Sequence, residues 1–179
     1  DVTLDIAHRA GPVLARELGI STLLTRDRDD YVSLEERTQR ANAFGADLFV
    51  SIHCNASESS SARGIQTYVL DTQSDDVAAR VAAREIATTL QAGREVSKLQ
   101  SSLKMADVGA RSQHLAELLQ RAAVASLSPK FPGTVDGGVK NAGFYVLVGA
   151  QMPAALFETS FISNPVEEER LGSGDYRQR

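Results

Sequence analysis

Cysteine is nearly absent from this chain of 179 residues. The single one, Cys54, excludes an internal disulfide framework and leaves both reducing and oxidising compartments open. No apolar run approaches the ~20 residues that a membrane-crossing helix needs. An excess of positive charge is missing too. Lys and Arg number 19 against 23 Asp and Glu, a formal net charge of −4, and no basic stripe suited to nucleic acid is present. There are only three histidines, His8, His53 and His114, so imidazole chemistry has few candidates. No internal repeat occurs, and no low-complexity segment is longer than the Ser-rich residues 57–61.

What remains is the composition of an ordinary soluble globular domain, 42% hydrophobic and 23% charged, long enough to bury one core. Apolar period and punctuation order its elements. Val2, Ile6, Val13, Leu14 and Leu18 share a helical face, interrupted by Pro12 and stopped by Gly19. Residues 20–25 read as a short β-type run. Ser33 and Glu36 make a capping-box pair heading a helix that ends at Gly45. Residues 48–55 and 64–70 read as strands on either side of the Ser-rich loop. Ser74 caps a helix with Asp75 and Asp76 in its first turn, fading near Gly93. A further helix over 112–127 carries Leu115, Leu118, Leu119 and Ala122 on one stripe. Pro129, Pro132, Gly133, Gly137 and Gly138 define a loop, and residues 144–148 and 154–158 are the last strands. Asn164 and Pro165 form an N-cap and N1 pair before Glu167 and Glu168. Helices alternating with strands predict an α/β fold, a mostly parallel sheet of five to six strands covered on both faces. Asp1 opens directly into a helical pattern, and both ends read as cuts.

Chemistry concentrates in two strands. Alternation over 48–55 puts Leu48, Val50, Ile52 and Cys54 on one side and Phe49, Ser51, His53 and Asn55 on the other. His53 and Asn55 thus stand at a strand's carboxyl end, where α/β sheets bind ligands. His8 and His114 sit in charged helical patterns and read as solvated or half-buried helix residues. His53 stays open between a structural and a site role. Glu158 ends an apolar run, an expensive place for a carboxylate unless it is paired, hydrated or near a metal. It is either a cap for the turn at 159–163 or a general base or acid. From spacing alone the reading stops at an α/β hydrolytic site, with or without a metal.

Several stretches, in order, resemble one family. They include Asp1-Val-Thr-Leu-Asp-Ile-Ala, Leu24-Thr-Arg-Asp-Arg-Asp, Val32-Ser-Leu-Glu-Glu-Arg and Ala46-Asp-Leu-Phe-Val-Ser-Ile-His-Cys-Asn-Ala. They continue with Ala62-Arg-Gly-Ile-Gln-Thr-Tyr, Gly138-Val-Lys-Asn-Ala-Gly-Phe-Tyr-Val-Leu, Met152-Pro-Ala-Ala-Leu-Phe-Glu and Thr159-Ser-Phe-Ile-Ser-Asn-Pro. Each is weak alone, but together they resemble the zinc-dependent N-acetylmuramoyl-L-alanine amidases over essentially the whole chain. The resemblance implies one catalytic domain over 1–179, a Zn²⁺ cofactor with His53 as a metal ligand, and Glu158 as the catalytic glutamate. It further implies that the family's first strand, its first two zinc ligands and most of its last helix fall outside this sequence.

Asn55 and Arg63 are candidate substrate-binding residues on the same rim, Asn55 orienting His53 or bonding substrate and Arg63 meeting a stem-peptide carboxylate. The implied substrate is the stem peptide and glycan of peptidoglycan. The implied setting is the periplasm or cell envelope after export, in cell separation or wall remodelling. An envelope activator protein is an implied partner; nucleic acid and a membrane span are not, and a monomer is expected. Ile86 stands where the family often has Asn, so Glu85 receives no role. Between Arg84 and residues 101–120 there is too little chain for the extra helix that covers the zinc in some members. Two other readings compete: a non-catalytic peptidoglycan- or division-partner-binding module of this fold, and a cytoplasmic domain in which His53 and Glu158 are structural.

Overall fold

Residues 1–70 and 106–179 are described by this computed structural model. Along the chain the elements are α1 (Val2–Leu18), α2 (Leu34–Phe44), β1 (Phe49–Asn55), β2 (Ile65–Leu70), α3 (Ala106–Leu127), β3 (Asp136–Ala142), α4 (Tyr145–Val148), β4 (Ala154–Phe161), α5 (Pro165–Gly172) and α6 (Gly174–Gln178). The helix expected after Ser74, the positions Glu85 and Ile86, and the stretch from Arg84 to residue 101 lie outside the described residues.

The class is α/β, as expected, but the sheet holds four strands among the described residues rather than five or six. Their order is β1-β4-β2-β3. The pairs β1/β4 and β2/β3 are parallel, while β2/β4 is antiparallel, so the sheet is mixed. Helices cover both faces. On one, Phe49, Tyr68, Ala154 and Leu156 meet Leu34 and Ala41 of α2 and Tyr145, Val146 and Leu147 of α4. On the other, Ile65 and Val69 meet α3, while Leu171 of α5 and Tyr176 of α6 close the end near Val2 of α1.

Local signals held where they were self-contained. Ser33 Oγ accepts from Glu36 N at 3.2 Å, and Gly19 and Gly45 end α1 and α2 at φ 66° and 69°. Asn164 Oδ1 accepts from Val166 N and Glu167 N at 3.0 and 3.2 Å. In α1 the helix runs through Pro12, though Leu18 is 65% exposed.

Four expectations need correction. Residues 20–25 form no strand; no described strand pairs with them, and Ile20 and Leu23 are exposed. Residues 144–148 are not a strand: Phe144 precedes the single helical turn α4, since a short buried apolar run satisfies either geometry. Gly137 and Gly138 lie inside β3 rather than in a loop, because β2 offers a ladder to pair with and a register shift absorbs Gly138 at φ 74°. On α3, Leu118 and Ala122 face solvent. The buried positions are Ser112, Ala116, Gln120 and Leu127, with Gln120 held by Thr67 Oγ1 at 2.8 Å and Ile65 O at 2.9 Å.

Candidate active site

β1 turns its polar side inward. Ser51 is 6% and Asn55 4% exposed, whereas Val50, on the apolar side, is 37% exposed. The polar side chains have partners there, so their burial is tolerated. In the parallel pair with β4, His53 stands opposite Glu158, and in the antiparallel pair Glu158 stands opposite Gln66. Directly opposed residues share a sheet face. The imidazole, the carboxylate and the amide therefore form a row across three strands, on the face covered by α2 and α4.

β4 continues to Phe161, three residues past Glu158, so this carboxylate does not cap the following turn as one reading of the sequence had it. That service comes from Glu167, whose Oε1 accepts from Gly64 N at 2.8 Å and Oε2 from Phe161 N at 2.7 Å. Glu158 itself is 3% exposed and lies among polar neighbours rather than in an apolar seal.

Ser51, two residues before His53 and on the same face, sits with its Oγ 3.0 Å from His53 Nε2. Asn55 does not reach His53. Its Nδ2 donates to Gln66 Oε1 at 3.1 Å, and Tyr68 OH donates to the same oxygen at 2.8 Å. Burial, then the charges of Arg37 and Arg26, lower the His53 pKa to about 4. The ring is therefore neutral at physiological pH and keeps an imidazole lone pair for a metal or a proton. Arg37 is fixed by Nε donation to Val32 O at 3.0 Å, and Arg26 by ion pairs to Asp1 and Asp29. Burial raises the Cys54 thiol pKa, against a hydrogen bond with Thr159 and with help from the Glu158 charge, so the thiol stays protonated.

Arg63 lies exposed in the loop entering β2, three residues before Gln66 and beyond the carboxyl ends of β1 and β4. The structure thus groups His53, Glu158 and Asn55 and leaves Arg63 on the rim. His8 and His114 are exposed on helices. Ser51, Gln66, Tyr68, Arg26 and Arg37 escaped the sequence reading. Only Ser51 carried a signal, its i−2 spacing from His53 on a strand.

An α/β domain with a histidine and a buried carboxylate paired at the carboxyl end of parallel strands defines a class of hydrolytic scaffold. The family model for N-acetylmuramoyl-L-alanine amidase matches residues 1–179, and the chain belongs to that family. It is 35% identical over 179 residues to the amidase LytC of Bacillus subtilis, covering 100% of this chain and 28% of that protein. It is 32% identical over 185 residues to AmiC of Escherichia coli O6:H1, covering 99% of this chain and 43% of that protein. The solved amidase of Clostridium difficile 630 superposes with a TM-score of 0.73 at 26% identity, over 99% of this chain and 75% of that one. The chain thus spans less than half the length of these two curated relatives.

Proposed function

We propose that this domain hydrolyses the amide between N-acetylmuramic acid and the L-alanine of the stem peptide in peptidoglycan. One observation carries the reading: His53 and Glu158 are register partners on one sheet face, with Glu158 buried beside the ring. Family membership and the similarity to LytC and AmiC support it.

A buried carboxylate in polar company is suited to proton transfer. In this reading Glu158 takes a proton from the attacking water as oxygen adds to the lactyl carbonyl. It then returns the proton to the departing L-alanine nitrogen, so the C–N bond breaks with a neutral amine leaving. Ser51 holds the His53 ring in one orientation, as outer partners of ligating imidazoles do. Asn55, from its buried place beside Gln66, and Arg63, on the rim, meet the substrate.

His53, neutral at neutral pH, has the donor chemistry of a zinc ligand. Among the described residues no group of three His, Cys, Asp or Glu that could hold a metal occurs. The described residues therefore supply one ligand and not a complete set. When bound, zinc would supply Lewis acidity at the carbonyl. Export to the periplasm or cell envelope, and an activator protein there, belong to the same proposal. Among the described residues no helix is long and apolar enough to cross a membrane.

The test is release of stem peptides from purified peptidoglycan by the full-length protein. Glu158→Gln, which keeps the shape and removes the base, is expected to lower the rate by ~10²–10⁴. A rate within a few-fold of the parent would end the proposal. In the same preparation, His53→Ala is expected to reduce bound zinc measured by metal analysis.

A further inference from the structure

Gln66 has no part in the chemistry above, yet the fold makes special room for it. A Cβ on Gly137 of the neighbouring strand would collide with Gln66 Cγ and stand 3.0 Å from its Nε2 and 2.8 Å from Ile65 O. A glycine within a strand weakens it, and here its lack of a side chain lets the amide lie across β3. Because β4 runs between β1 and β2, the bond from Asn55 Nδ2 to Gln66 Oε1 crosses β4 beside Glu158.

That bond and the one from Tyr68 OH set the direction of both amides. Two donors converge on Gln66 Oε1, so its oxygen faces them and its NH₂ turns away. With Nδ2 of Asn55 engaged, the group it has left is the acceptor Oδ1. Among the described residues none donates to Asn55 Oδ1 and none accepts from Gln66 Nε2. Asn55 is 4% exposed, and side-chain amides held this deep ordinarily use both ends.

We infer that Asn55 and Gln66 form one subsite for a secondary amide of the substrate, Asn55 Oδ1 accepting its N–H and Gln66 Nε2 donating to its C=O. The inference rests on the amidase reading for the identity of the substrate. Peptidoglycan offers this chemistry in two places, the backbone amides of the stem peptide and the acetamido group of the sugar.

Calorimetric titration of the full-length protein with two probes tests it without turnover: a stem tripeptide beginning with L-alanine, and N-acetylmuramic acid. Gln66→Glu keeps an acceptor for Asn55 and Tyr68 and removes the donor, and circular dichroism checks that it folds beside Glu158, its register partner. Gln66→Met removes both. For the probe that occupies the subsite, affinity is expected to fall about 10-fold in Gln66→Glu and at least as far in Gln66→Met, the scale of one lost hydrogen bond. Replacing the peptide amide by an ester, or the acetamido group by an amine, should erase the difference between parent and variant for that probe and so identify the source. Binding of both probes within two-fold of the parent in both variants overturns the subsite, as does a parent that binds neither. Failure of the amidase reading shows instead in the Glu158→Gln rates, which these titrations do not use.

Discussion

Two carboxylates lie buried near the end of β4, and their partners separate their roles. Glu167 is 3% exposed and accepts backbone N–H groups from Gly64 and Phe161, pinning the entry of β2 to the exit of β4. Glu167→Ala would leave both donors buried without a partner, at about 1–3 kcal/mol for each group left unsatisfied. A loss of about 2–4 kcal/mol in the urea unfolding free energy is expected; a loss below about 0.5 kcal/mol would show that the clasp is dispensable. Glu158 is just as buried, and it is the carboxylate to which the proposed reaction assigns proton transfer. Its substitution by Gln should change the unfolding free energy far less than it changes the rate. Gly137→Ala joins the two concerns, because the added methyl would meet Gln66 and the backbone of β2. Overpacking of this kind costs about 1–3 kcal/mol, and the same denaturation measurement reads it.

Among the elements, α6 offers a titratable anchor. Tyr176 is 5% exposed, its ring meets Phe131 edge-on at 4.9 Å, and its hydroxyl lies 3.2 Å from Ser160 Oγ and donates to Thr159 O at 3.3 Å. Burial raises the phenol pKa above its ordinary 10, opposed by the Ser160 hydrogen bond and helped by the Glu167 charge. An acid whose folded pKa is raised contributes stability in full below the unfolded value and loses it as the pH climbs through the folded one. The melting temperature should therefore fall above about pH 10. Tyr176→Phe should flatten that fall while lowering stability by about 1 kcal/mol at neutral pH. An unchanged alkaline slope in the Phe variant would assign the loss to other groups.

The elements also show which parts of the fold could be read in advance. Ser33, Gly19, Gly45 and the Asn164–Pro165 pair act within a few residues of themselves, and each stands where its local chemistry predicts. Residues 20–25, 136–142 and 144–148 depend on what lies beside them, and apolar content alone did not say whether a strand partner was there. Gln120, outside the stripe of Leu115, Leu118, Leu119 and Ala122 read from the sequence, is buried because β2 supplies Thr67 Oγ1 and Ile65 O as partners. The site divides the same way. The strand positions of His53 and Glu158 can be read because each stands out against its own strand. Gln66, Arg26 and Arg37 become neighbours only through register and helix packing, which no single segment encodes.

At the scale of the whole molecule, the two central side chains sit on strands of unequal security. Glu158 is carried by β4, which has a neighbour on each side and seven of its eight residues buried. His53 is carried by β1, which among the described residues pairs only with β4 and has three of seven residues buried. A strand paired on one side directs alternate N–H groups away from its partner. Amide hydrogen exchange should therefore be slowest through β4 and β2, while β1 should alternate between protected and unprotected positions. Ligands that engage His53 should slow β1 more than β4, because β4 is already near the global limit. Uniform protection along β1, equal to that of β4, would contradict this ranking and show that the outer edge is covered in solution. Under the proposed hydrolysis, the carboxylate assigned to proton transfer stands on the strand paired on both sides, and the imidazole assigned to the metal on one that among the described residues is paired on one side.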